Sequence, residues 1–203
     1  MSLRDTYNTI AEDWNKGHQT DDWWIDGTNT FCSFLPPGGT ILDVGCGAGI
    51  KSEYLSEKGF KITGIDFSEK FLEIARLKVP EIDFLALDMK NLDTLDRTFD
   101  GVFVQAALLH IPKKEVPGVF DQFVRKLKPG GHLYVAVKEL KPGGPEEEEK
   151  EKNDYGYSYK RFFSYFLSEE LESYFKKSGF TVVYENREQS GKTVWIQAIG
   201  RLE

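Results

Sequence analysis

The sequence predicts an α/β fold: a doubly wound, mostly parallel sheet that ends in an antiparallel hairpin. Three observations carry this. Short β-branched and aromatic runs alternate with helical patterns along the chain, and such alternation implies right-handed crossovers and a parallel sheet covered on both faces. The first run, Thr40–Val44, leads into the glycine cluster Gly45-Cys46-Gly47-Ala48-Gly49. The last two runs, residues 180–184 and 193–200, are joined by too few residues for a parallel crossover, which needs about a dozen or more.

The elements follow in order. Residues 22–35 read as a helix ended by Pro36-Pro37-Gly38-Gly39, and the first strand follows it. After the glycine cluster a helix runs to about residue 58, with Gly59 just beyond its last turn. Residues 60–65 form the second strand. Ser68 then caps a helix that Pro80 stops. Residues 82–87 and 99–105 are the third and fourth strands. Val116, Val119, Phe120, Phe123, Val124 and Leu127 stand at the spacing of one helical face, and Lys128-Pro129-Gly130-Gly131 ends that helix. Residues 132–137 form the fifth strand, and residues 168–177 a helix closed by Gly179.

Two stretches stand outside this frame. Residues 4–19 carry Tyr7, Ile10, Ala11 and Trp14 at helical spacing, and residues 141–161 contain Glu146-Glu147-Glu148-Glu149. Segments this long inside a compact domain are lids, binding segments or disordered loops. Residues 146–152 are expected to be a solvated, mobile stretch, and the aromatic residues 157–166 to seek a buried face. The chain then divides as a single domain, 1–203, with an N-terminal helical lid (1–36), a core (40–140), an aromatic insert (141–166) and a closing helix plus hairpin (167–203).

Composition narrows the function. At 203 residues the chain is one domain, two at most, and its 40% hydrophobic and 29% charged residues suit a globular protein. No run of about 18 apolar residues exists and the start lacks a signal-peptide pattern, so no membrane partner is expected. The formal charge of −7 argues against a nucleic-acid partner. Two cysteines, Cys32 and Cys46, make no disulfide framework, and a cytoplasmic setting is expected. Cysteines and histidines show no metal-ligand spacing, so no metal is expected. A monomer or homodimer is the expected assembly.

Glycines between a strand and a helix leave backbone amides open to a polar or anionic ligand. A dinucleotide site would want G-x-G-x-x-G, yet Ile50 stands where the third glycine belongs, which weakens that reading. Three acids recur after successive strands: Asp43 in the first, Asp66 after the second, Asp88 after the third. All fall at the carboxyl edge, where open α/β sheets bind ligands, and Asp66 suits a pair of ribose hydroxyls.

With these residues in place, the chain resembles the class I S-adenosylmethionine-dependent methyltransferases. The resemblance rests on Ile41-Leu42-Asp43-Val44-Gly45-Cys46-Gly47-Ala48-Gly49, Gly64-Ile65-Asp66-Phe67-Ser68, Leu87-Asp88-Met89, Phe99-Asp100-Gly101-Val102 and Leu127-Lys128-Pro129-Gly130-Gly131, in family order and spacing. Within the class it is similar to the small-molecule branch of ubiquinone-biosynthesis-type methyltransferases. The resemblance implies a Rossmann-like sheet and S-adenosylmethionine as cofactor, with S-adenosylhomocysteine as product. It implies that the loop Gly45–Gly49, with Cys46 and Gly47, holds the methionine end and that Asp43 bonds the ammonium. Asp66 would hold the ribose, and Asp88 with Met89 would read adenine beside Phe67. Gln105 and Ala106 would lie near the methyl group, and Tyr7 and Trp14 would cover the cofactor.

Methyl transfer from a sulfonium is an in-line displacement that needs placement and dryness more than a base. His110 follows the fourth strand beside the expected methyl position and is the candidate catalytic residue, with packing as its alternative role. The insert supplies the acceptor candidates: Tyr157, Tyr159 and Arg161, with Lys138, could grip an anionic or hydroxylated small molecule. A protein or RNA methyltransferase and a non-catalytic S-adenosylmethionine or nucleotide binder are the alternative functions. DNA amino-methylating enzymes resemble one another in an Asn/Asp-Pro-Pro-Tyr/Phe segment, whereas Gln105-Ala106-Ala107-Leu108 stands here.

Overall fold

In β1 (Thr40–Val44) alternate side chains go to opposite faces of the sheet, as a pleated strand requires. Ile41 joins one buried cluster, with Leu55, Leu72 and Phe31, while Leu42 and Val44 join the other, with Phe120, Phe123 and Phe175. A strand apolar on both faces belongs in the middle of a sheet with helices above and below. The computed structural model, which describes residues 2–203, shows that arrangement.

The helices are α1 (Leu3–Gly17), α2 (Ile25–Ser33), α3 (Ile50–Glu57), α4 (Glu69–Lys78), α5 (Val116–Lys126) and α6 (Ser168–Lys177). The remaining strands of the main sheet are β2 (Lys61–Asp66), β3 (Asp83–Ala86), β4 (Phe99–Gln105) and β5 (Leu127–Lys138), followed by two more near the C-terminus. Strands β6 (Glu147–Lys152) and β7 (Tyr159–Ser164) form a separate antiparallel pair, and β8 (Phe180–Ser190) and β9 (Thr193–Leu202) close the main sheet. Its order is β3-β2-β1-β4-β5-β9-β8, parallel from β3 to β5 and antiparallel at β5–β9 and β9–β8. The strand order reverses between β1 and β4, and ligand crevices open at such a point. Among the described residues no helix is long and apolar enough to cross a membrane.

Most of the expected elements fall within a few residues of their observed bounds. The last hairpin is longer than its apolar residues suggested. Strand β8 continues through Ser190 to a tight turn at Gly191, its outer half alternating exposed and half-buried polar side chains as an edge strand does.

The expectation of a mobile stretch over residues 146–152 is corrected: it is largely strand β6, paired residue for residue with β7. Its side chains remain solvated, as expected, but alternating signs tie it down through Lys150–Glu148 at 2.9 Å and Lys160–Glu149 at 3.3 Å. Inward residues of β7 do the rest, since Tyr159 and Phe163 are buried.

Helix α1 belongs to neither large cluster. Its Tyr7, Ile10 and Ala11 form a third with Ala48, Phe71 and Tyr159. Polar contacts fix its seat: the Thr6 hydroxyl donates to the Lys160 carbonyl at 3.0 Å, and the Ser68 hydroxyl to Asn8 at 2.8 Å. The Ser2 side chain caps it through a reciprocal bond pattern with Asp5.

Candidate functional site

The chain leaves β1 into Gly45, whose φ of +73° is a left-handed conformation that side chains resist. A Cβ at Gly45 would also overlap the methyl of Ala107 at the end of β4. The Gly45 and Cys46 amides both donate to the Ile65 carbonyl, at 2.8 and 3.0 Å, which fastens the loop to the end of β2. Gly45→Ala should therefore lower stability by about 1–3 kcal/mol through strain and overlap. Urea unfolding checks this, and an unchanged midpoint would show that the loop tolerates a side chain.

Asp66 organises the next layer. The Gly47 amide donates to its Oδ2 at 3.0 Å and the Ser68 amide to its Oδ1 at 2.8 Å. A carboxylate offers about four acceptor sites, so roughly two remain for a ligand. Burial pushes the Asp66 carboxyl up to about 6, against the pull of those amides. Next along the same edge, Asp88 accepts from the Lys90 amide at 2.9 Å and starts a short helical turn that contains Met89.

These groups open into one cavity of about 860 Å³, within the size range of small-molecule sites. Gly45, Cys46, Gly47, Asp66 and Phe67 line it, with Asp88 and Met89 after β3 and Gln105 and Ala106 at the end of β4. Ala106 has a φ of +53°, a strained position for a residue with a Cβ, worth about 1–2 kcal/mol. Tyr7 and Trp14 of α1 also line it, as do His110, Lys138 and Arg161.

His110 sits in a short turn, residues 108–110. Its Nδ1 lies 2.7 Å from the Phe162 carbonyl, so Nδ1 carries the hydrogen and donates. Nε2 is then the acceptor, and the Tyr7 hydroxyl donates to it at 2.6 Å. Burial, reinforced by the nearby cations Arg161 and Lys138, pushes the imidazole down to about 3. It is neutral at physiological pH.

Four of the expected site residues fall outside the cavity wall. Asp43 is buried behind the glycine loop, accepts from the Ser52 hydroxyl at 2.6 Å and is raised to about 6 by burial. Gly49 packs the start of α3 onto Ala75 and Phe84. Tyr157 turns outward and donates to Asp13 of α1 at 3.0 Å. Tyr159 points inward but is consumed by packing: its ring stacks on Tyr155 and its hydroxyl bonds Asp154. Both tyrosines face groups supplied by neighbouring segments, and so they brace the insert rather than wall the cavity.

Other lining residues were not among the named candidates, although Phe163 lies in the aromatic insert expected to seek a buried face. Trp23 and Trp195 stack at 4.0 Å and line the cavity although far apart along the chain. Phe163 lines it from β7. His18 stacks on Trp14 at 4.2 Å, a contact that its four-residue spacing in a helix could have suggested.

Residues 41–131 match the family described as a methyltransferase domain. That segment carries the glycine loop and the acids at the ends of β1, β2 and β3, the same residues on which the sequence resemblance rests.

Demethylmenaquinone methyltransferase of Renibacterium salmoninarum is 36% identical over 102 residues, 49% of this chain and 41% of that protein. Ubiquinone biosynthesis O-methyltransferase of Idiomarina loihiensis is 35% identical over 105 residues, 49% of this chain and 42% of that protein. The chain thus spans less than half the length of these two relatives. In fold it is similar to the Burkholderia thailandensis 1,6-didemethyltoxoflavin-N1-methyltransferase solved with 1,6-didemethyltoxoflavin and S-adenosylhomocysteine. That likeness has a TM-score of 0.77 at 20% identity, over 98% of this chain and 87% of the other.

Proposed function

We propose that this chain transfers a methyl group from S-adenosylmethionine to a small-molecule acceptor. The observation that carries the reading is Asp66: buried, held by two backbone amides, and lining a cavity large enough for a nucleoside and a second small molecule. When bound, S-adenosylmethionine supplies a methyl already activated on a sulfonium.

The chain's own groups do the rest. Asp66 accepts from the ribose hydroxyls, and the backbone of Gly45 to Gly47, its amides committed to Ile65 and Asp66, lies against the methionine end, with Asp43 buried behind it and bonded by Ser52. Asp88 and Met89 read the adenine edge, and Phe67 gives it an apolar face. Gln105 and Ala106 border the reacting end. Tyr7 and Trp14 shut out water there, which strengthens every polar contact inside. His110, with its pKa near 3, is a weak base. Its work is to hold Tyr7 in place, so that rate comes from placement and dryness.

The test incubates the full chain with S-adenosylmethionine and a panel of small phenols, amines, thiols and acids, and measures S-adenosylhomocysteine by mass spectrometry. The expected result is product above the acceptor-free background, with one methyl gained by the matching acceptor. Bound S-adenosylmethionine with no product from any class of acceptor would instead make the chain a binder.

A further inference from the structure

Two cations that line the cavity have no acid paired to them. Along β7 the inward residues are Tyr159, Arg161 and Phe163, and Arg161 lines the cavity. Among the described residues Arg161 makes no ion pair, and its buried Nε has no hydrogen-bond partner. Its guanidinium carbon lies 5.2 Å from the centre of the Phe163 ring, and the Lys138 amine lies 4.3 Å from the same ring. Lys138 likewise has no carboxylate within ion-pair distance among the described residues.

Nearby acids are already engaged. Glu148, on the face of β6 that shares this side, pairs with Lys150 at 2.9 Å. Asp154 is bonded by Tyr159 and Lys152. The cavity's Asp66 and Asp88 accept from backbone amides. Burial, reinforced by the Arg161 charge, depresses the Lys138 amine to about 8.

A second, independent orphan lies beside them. Gln105 is 8% exposed and lines the cavity, and neither its amide nitrogen nor its oxygen has a partner. It stands opposite Ala136 in the sheet, and Lys138 follows two residues later on the same face of β5. Buried polar groups left unpaired are costly unless something completes them.

We propose that the methyl acceptor is an anion, bearing a carboxylate or phosphate that Arg161 and Lys138 hold, with the Gln105 amide bonding a polar group next to it. Arg161 offers the planar fork that suits both oxyanions, and Lys138 a point charge. The Phe163 ring lies against both cations and the Trp195 ring against Lys138, aromatic surface that suits an acceptor with a planar apolar body. The inference rests on the methyltransferase reading for the word acceptor, but the anion site itself does not depend on it.

The test has two arms on the full chain. The first titrates S-adenosylhomocysteine and reports on the methyltransferase reading alone. The second titrates benzoate, phenyl phosphate and benzamide by calorimetry, with and without S-adenosylhomocysteine. At least one of the two anions should bind about tenfold or more tighter than neutral benzamide, and which one does so separates carboxylate from phosphate.

Arg161→Gln and Lys138→Met should each weaken that anion about tenfold or more, while S-adenosylhomocysteine affinity stays near that of the unaltered chain. If one variant fails to melt cooperatively, the other decides. Equal binding of benzamide and the anions, no binding of any probe, or unchanged anion affinity in the folded variants would overturn the proposal. Anion binding without S-adenosylhomocysteine binding would keep the site and remove the methyltransferase reading.

Discussion

Replacing Asp66 by alanine should weaken S-adenosylmethionine and S-adenosylhomocysteine by about 1.5–3 kcal/mol, roughly a factor of 10 to 150, the range for hydrogen bonds to a charged group. The motive is geometric. Two of its acceptor sites are filled by Gly47 and Ser68, and the residue lines the cavity.

The same residue sets a pH dependence with a definite sign. Burial raises its carboxyl from 3.8 to about 6, so protonation removes the acceptor as pH falls through that value. Affinity should be level above about pH 7 and fall below about 6 by no more than the roughly 10 to 150-fold that removing the carboxylate costs. Asp43, also raised to about 6, adds to the loss in the same direction. Asp66→Ala should therefore both lower affinity at pH 8 and flatten the acid limb. Calorimetry at several pH values reads both. A folded Asp66→Ala chain with unchanged affinity would remove this residue from the site.

Deleting residues 1–19 should abolish turnover and sharply weaken the cofactor, yet leave a domain that melts cooperatively. Helix α1 lines the cavity through Tyr7 and Trp14, and its buried side chains belong to a cluster apart from the two that sandwich the sheet. Removal exposes Phe71 and Tyr159, so a lower melting temperature is expected, by several degrees for a loss of about 1–2 kcal/mol in a domain of this size. Loss of the transition itself would show that α1 is part of the folding core rather than a lid. Calorimetric melting of the truncated chain decides between the two.

The cofactor end of the site was legible because its chemistry is local in sequence. Gly45 and Gly47 stand where a strand turns into a helix, and Asp66 and Asp88 each follow a strand, so topology alone brings them to one edge. The acceptor candidates were legible only in composition. The aromatic insert announced a buried face, and Arg161 and Lys138 were picked out, but which tyrosines point inward depended on register. Tyr157 lies before the paired stretch that begins at Tyr159, and its hydroxyl found Asp13 on a helix 144 residues away.

The glutamate run misled for a related reason. Charge of one sign reads as a solvated, mobile segment, yet the lysines interleaved with it and the buried partners on β7 make it a strand. Trp23 against Trp195 had no local signal at all. That pair depends on β9 returning beside β5, which places Trp195 opposite Lys138.

The most direct test of the central claim is calorimetric titration of the purified chain with S-adenosylhomocysteine, with NAD as the rival ligand. The predicted result is one-to-one, saturable binding of S-adenosylhomocysteine that Asp66→Ala weakens, and no heat from NAD at the same concentrations. A folded chain that ignores S-adenosylhomocysteine, or that binds NAD through Asp66 instead, would contradict it.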